Sequence, residues 1–243
     1  MAKIIDVTNT IGKHKYKDEI TIESLIRQMD RSNVDIAVIH CYPEYEDNES
    51  IEQAIKRYPN RIIGMYVVNP WKEKAEELLE KAFKEKGFKG LYLDPLRQGF
   101  SYTETKLFYP LLEICSRYDY PVWCFASADI NCNPILIDKI ANDFPNLKII
   151  LGRMGLQYDN SSAVEVARSH KNVYLETSTS MDFNVFRAVK RAGDDKVLMG
   201  TGTPDISYFE LEIAKIRDII ESEESIIKVL GENAKNVFKV KEI

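Results

Sequence analysis

The chain has 243 residues, 44% of them hydrophobic, and its 33 basic and 38 acidic side chains give a net charge of -5. Such a chain can bury a large core and falls in the size range of an α/β barrel of roughly 250 residues folded as one domain. Interspersed charge without a basic block excludes a nucleic-acid surface, and apolar runs no longer than a strand exclude a membrane span. The opening MAKIIDVTNT lacks the apolar stretch of a secretory signal. Cys41, Cys115, Cys124 and Cys132 form no CxxC pair, so reduced thiols and a cytoplasmic location are expected.

KIIDVTNTIG, residues 3–12, begins the chain with a short apolar run, Ile4–Val7, that leads into Thr8 and Thr10. Hydroxyls two residues apart on a strand point to the same side of the sheet. A helical pattern at Ile22–Arg31 precedes the second run, Asp35–His40. Of three histidines only His40 ends a predicted strand, where it is either a general base suited to neutral pH or a packing residue. Cys41 beside it must face the other way. His14, in HKYKDE, and His170, beside Lys171, read as solvated surface residues.

A helical pattern at Ile51–Arg57, the run Ile62–Val68 and a helix over Lys74–Lys86 follow, the last with Ala75, Leu78, Leu79, Ala82 and Phe83 on one stripe. Trp71 and Trp123 read as packing residues. The run Gly90–Leu93 ends at Asp94, whose carboxylate either bonds loop amides or, if buried, acts as an acid or base. Ser101 and Glu104 have the spacing of a capping box, with Pro110 in the first turn of the helix that follows or displacing its start.

The remaining strands are Val122–Ala126, Lys148–Leu151, Val173–Leu175 and Val197–Met199. Helical patterns at Ile135–Asn142, Val164–Ser169, Phe183–Ala192, Phe209–Ile220 and Ser225–Leu230 alternate with or follow them, and Gly231 reads as a C-cap. Eight apolar runs alternating with about eight helices predict a (β/α)8 TIM barrel over residues 1–243, with an open doubly wound sheet as the rival. Function in a barrel sits at the C-terminal strand ends.

The blocks FPNLKIILGRMG (144–155), KGLYLDP (89–95), PVWCFAS (121–127), NVYLETS (172–178), KVLMGTGTP (196–204) and VLGENAKNVF (229–238), with IIDVTNTIG at the start, resemble the amidohydrolase-related family in kind and order. The resemblance covers nearly the whole chain and implies a metal-dependent-hydrolase-like barrel. In that family a His-x-His pair, two further histidines and an aspartate hold one or two divalent metals. Matched position by position, these ligands fall on Thr8, Thr10, Phe125, Arg153 and Gly202. Hydroxyls bind zinc poorly, phenylalanine not at all, and arginine brings its own positive charge. No metal and no other cofactor is therefore expected.

Arg153 retains part of the positive field of a lost metal and offers a planar fork to a carboxylate. Its alternative is a salt bridge to Asp94, Glu176 or Asp205. Phe125 either fills the void of a lost metal or covers a ligand ring. The expected protein is a divergent, metal-independent amidohydrolase relative that takes a small, anionic ligand. His40, Asp94 and Glu176 are its candidate acid–base groups, and Arg153, Thr8, Thr10, Phe125 and Asp205 its binding groups. Two alternatives stand beside it: an active hydrolase or decarboxylase with displaced metal ligands, and a non-catalytic binding barrel. No nucleic-acid or membrane partner is expected; a homo-oligomer is compatible with the sequence.

Overall fold

Runs of Val, Ile and Leu without polar alternation suit strands covered on both faces, and they form such strands here. The computed structural model describes residues 3–241. Its strands are β1 (Ile5–Thr10), β2 (Ile36–His40), β3 (Ile62–Gly64), β4 (Tyr66–Val67), β5 (Leu91–Leu93), β6 (Val122–Phe125), β7 (Ile149–Gly152), β8 (Val173–Glu176) and β9 (Val197–Leu198). Every neighbouring pair is parallel. β3 and β4 make up one barrel strand, divided at Met65: the first part pairs with β2 and the second with β5. The sheet closes where Val7 N–H donates to Met199 O at 2.9 Å and Gly202 N–H to Thr8 O at 2.8 Å. Closure distinguishes the (β/α)8 barrel from the open-sheet rival.

The helices are α1 (Ile22–Ser32), α2 (Asn48–Arg57), α3 (Ala75–Glu85), α4 (Pro95–Gln98), α5 (Thr105–Tyr118), α6 (Leu136–Asp143), α7 (Asn160–Ser169), α8 (Asp182–Ala192), α9 (Phe209–Ile219), α10 (Glu223–Ile227) and α11 (Asn233–Phe238). Thr21 and Asp47 cap α1 and α2 by accepting from Ser24 N–H and Ser50 N–H. One buried cluster runs from Ile5 to Phe238 through strands and helices alike. Among the described residues no helix is long and apolar enough to cross a membrane. All four cysteines are free and buried.

Several local expectations are corrected. Glu104 does reach back to Ser101 N–H at 2.7 Å, as in a capping box, but α5 starts only at Thr105. Pro110 lies inside α5 rather than in its first turn. Gly231 is no C-cap: it lies in a π-helical turn, Lys228–Glu232, that runs on into α11. A Cβ there would stand 1.8 Å from Lys3 O, so glycine serves the close approach of the chain start. Trp71 is 59% exposed, tied by its Nε1–H to Gly99 O at 2.9 Å, whereas Trp123 is buried as expected.

Candidate functional site

Polar side chains at the C-terminal strand ends converge at the barrel mouth around a tight cleft of only about 10 Å³, room for about one water. Its wall holds five of the expected residues, Thr8, Thr10, His40, Arg153 and Asp205, together with Tyr42, Tyr92 and Arg97. Asp94, Glu176 and Phe125 lie outside this lining and act on it from behind.

The middle of the barrel beneath the cleft is filled by rings. His40 stacks on Tyr92 with centroids 3.9 Å apart, and Tyr92 on Trp123 at 4.5 Å. Gly152 makes room for this column, since a Cβ there would lie 2.2 Å from Trp123 Cζ2. His40 Nδ1 lies 3.0 Å from Cys41 O. A carbonyl only accepts, so the proton is on Nδ1 and Nε2 is left as an acceptor. Burial, with help from the Arg153 and Arg97 charges, pushes the imidazole down to about 3 against the lift from Cys41 O. That corrects the expectation of a base tuned to neutral pH: His40 is a neutral hydrogen-bond acceptor there. Cys41 points away, its thiol toward Asn48 Oδ1 at 3.8 Å.

Arg153 follows β7 in a tight turn in which Arg153, Met154, Gly155 and Leu156 all have positive φ, from 45° to 75°. Three of these four are not glycine, and such backbone is held only where its surroundings demand it. Glu176 supplies part of the hold by accepting from Arg153 N–H at 2.9 Å. It also accepts from Ser178 N–H at 2.6 Å and Ser178 Oγ–H at 2.9 Å. The expected salt bridge from Glu176 to the Arg153 guanidinium does not form. Nor does one form to Asp94 or Asp205: among the described residues no carboxylate is within ion-pair distance of Arg153. The guanidinium instead lies over the Phe125 ring, 5.3 Å from its centroid, and Nε is buried without a partner.

Asp94 caps α4, accepting from Arg97 N–H at 3.2 Å, with Oδ2 at 3.5 Å from Arg97 Nε. This is the structural alternative foreseen for it. Arg97 also pairs with Glu44 at 2.8 Å and lies over the Tyr42 ring. Asp205 accepts from Tyr42 OH, from Lys17 at 2.8 Å and from His14 Nε2 at 3.1 Å. Burial raises its pKa, but Lys17 and Tyr42 outweigh that and hold the carboxyl below its usual range. His14 and His170 are thus not solvated: their side chains are 7% and 11% exposed, and His170 pairs with Asp138 at 2.7 Å.

The metal implied by the resemblance does not fit these residues. Thr8 Oγ is buried without a partner, Thr10 offers a second hydroxyl, Phe125 has no donor and Arg153 brings a cation. Among the described residues no group of three or more His, Cys, Asp or Glu side chains could hold a metal ion.

Sequence reasoning passed over Tyr42, Arg97 and Asp6. Tyr42 stands two residues beyond His40, and the two-residue period of a strand was the available signal. Arg97 was signalled by its place three residues after the cap Asp94. Asp6 is a carboxylate inside an apolar strand. It is fully buried, accepts from Thr8 N–H and Asn9 Nδ2–H at 2.9 Å each, and leaves Oδ2 unpartnered.

Burial raises the Asp6 pKa well above 3.8 despite the Thr8 amide. For a carboxyl raised in the folded state, stability is full below the unfolded pKa and is lost as pH rises toward the folded one. Asp6→Asn removes this loss. Urea denaturation at about pH 4 and about pH 7 is expected to show the variant gaining on the parent as pH rises. A constant difference would mean that Asp6 is ionised at no cost.

A family model described as Amidohydrolase matches residues 24–240. No curated protein matches the chain at a significant level. Among solved structures the fold is similar to 5-carboxyvanillate decarboxylase from Sphingomonas paucimobilis, with TM-score 0.76, 15% identity, and 99% of this chain and 100% of that one covered. Dihydroxybenzoic acid decarboxylase from a Polaromonas species, with bound manganese and the inhibitor 2-nitroresorcinol, gives TM-score 0.78, 17% identity, and coverage of 100% and 98%. A 2,6-dihydroxybenzoate decarboxylase complexed with 2,6-dihydroxybenzoate gives 0.80, 13%, 98% and 100%. At such identities the likeness carries the fold.

Proposed function

Because the chain belongs to the amidohydrolase family, whose site lies at the barrel mouth, we propose that this mouth binds a small carboxylate through Arg153 without a metal. The observation that carries this reading is the Arg153 guanidinium, seated on Phe125 with no carboxylate within ion-pair distance among the described residues. A charge without a protein partner beside a cleft is neutralised most directly by an anionic ligand, and a guanidinium takes a carboxylate through two parallel hydrogen bonds. Arg97, also on the wall, is already paired with Glu44 and Asp94, which leaves Arg153 as the guanidinium available to the ligand. Thr8, Thr10 and the bare Nε2 of His40 offer hydrogen bonds to the rest of the ligand. The groups expected to do acid–base work take other parts in this reading: Asp94 holds Arg97, Glu176 holds the Arg153 turn, and His40 accepts. The reading is thus of a binding barrel, as one fold hosts many functions.

Calorimetric titration of chelator-treated protein with benzoate and 2,6-dihydroxybenzoate tests it. Saturable binding is expected, and Arg153→Ala is expected to weaken it roughly 30-fold, or about 2 kcal/mol for a charged hydrogen-bonding pair. Undiminished affinity in the variant sinks the proposal.

The similar structures favour a second reading, a metal-dependent decarboxylase, here with displaced ligands, since several of them contain manganese. Elemental analysis and a thermal shift with manganese separate the two readings. Stoichiometric metal or a clear stabilisation supports the second.

A further inference from the structure

The segment between β1 and α1 is not a free loop. Gly12 and Ile20 close its base, Gly12 N–H donating to Ile20 O at 2.8 Å and Ile20 N–H to Gly12 O at 3.0 Å. Between them Lys13, Lys15, Tyr16, Lys17, Asp18 and Glu19 are exposed. Two side chains turn back toward the barrel. His14 Nδ1 accepts from Tyr16 N–H at 2.9 Å, so Nε2 carries the proton and donates to Asp205 Oδ1 at 3.1 Å. Lys17 Nζ donates to the same oxygen at 2.8 Å. The His14 ring also meets Tyr42 edge to face, with centroids 4.7 Å apart. Tyr42 in turn donates its hydroxyl to the other Asp205 oxygen.

One carboxylate, after β9, thus ties together the segments that follow β1 and β2. Asp205 and Tyr42 both line the cleft that holds Arg153. The base is a backbone pair at buried Gly12, with φ +91°, so the segment is anchored there and tied beyond it by its tips. The tips are one part-exposed ion pair and one histidine contact, the kind of bond worth little enough to open readily.

We propose that residues 13–19 form a strap that gates the barrel mouth, closed when His14 and Lys17 clamp Asp205 against Tyr42. Releasing the clamp takes His14 off the Tyr42 ring and Lys17 off Asp205, and so uncovers this side of the mouth and the way to Arg153. The strap's role in ligand entry rests on the carboxylate reading above; the gate itself does not depend on it.

The test needs no ligand. Wild-type protein and the His14→Ala/Lys17→Met double variant are treated with phenylglyoxal, which modifies accessible guanidinium groups, and the rate at Arg153 is followed by peptide mass spectrometry. Lys17 is exposed while the His14 ring is largely covered, so circular dichroism verifies that the variant is folded. Amide hydrogen exchange over 13–19 is expected to speed up in the variant, and Arg153 modification to rise about fivefold, while Arg168, 56% exposed on α7, stays constant. Unchanged exchange means that the clamp does not hold the segment, and faster exchange with unchanged Arg153 modification means that the segment does not cover the mouth. Either result overturns the proposal. Loss of benzoate binding in Arg153→Ala bears only on the ligand, so the two readings fail separately.

Discussion

Gly152→Ala is expected to cost about 3 kcal/mol, seen as a fall in Tm on the order of 10 °C. A Cβ at this position would lie 2.2, 2.4 and 2.5 Å from three atoms of the Trp123 ring. The indole is 1% exposed and stacked against Tyr92 at 4.5 Å, so it has nowhere to go without moving the column. Overpacking of a close-packed interior is relieved only by off-rotamer side chains or backbone shifts. Thermal unfolding followed by circular dichroism measures the effect. An unchanged Tm would place Trp123 elsewhere and leave the barrel centre open.

Gly200→Ala is expected to be of similar size in stability, about 3 kcal/mol, and also to weaken carboxylate binding. Its Cβ would come 2.0 Å from Glu176 Oε1. That carboxylate is fully buried and fixed by Arg153 N–H, Ser178 N–H and the Ser178 hydroxyl. Moving it leaves buried donors unpaired, each a loss of about 1–3 kcal/mol, and loosens the turn that presents Arg153. Gly99→Ala is the control. Unlike Gly200 it has positive φ, at +72°, but nothing lies within 4 Å of the added methyl, so only the backbone cost of about 1 kcal/mol is expected. If both variants lose the same stability, the contact with Glu176 is not what Gly200 protects.

The barrel was legible because its strands are buried on both faces and announce themselves as apolar runs of the right length. The division of the third strand at Met65 was not, because it depends on which neighbour each half meets. At the site, Thr8, Thr10 and Arg153 could be placed at the mouth from their positions at the C-terminal ends of strands. What Arg153 pairs with could not: Glu176 meets its backbone amide instead of its guanidinium, a distinction of a few ångströms set by the left-handed turn. His14 looked solvated because the lysines around it are, while its partner Asp205 is 191 residues away. Local composition carries no trace of such a contact.

The column of His40, Tyr92 and Trp123 has a bearing on recognition. A stack of rings whose upper members reach the cleft is a floor, and it closes the barrel to any ligand that would enter lengthwise. In the carboxylate reading, what rests on it would be judged by its outline: where its charge falls relative to Arg153, and how far it spreads toward the Tyr42 side. Length along the barrel axis counts for nothing. A family of ligands varied in footprint would be ranked by this protein, whereas one varied only in tail length would be told apart solely by how much of the tail is left outside.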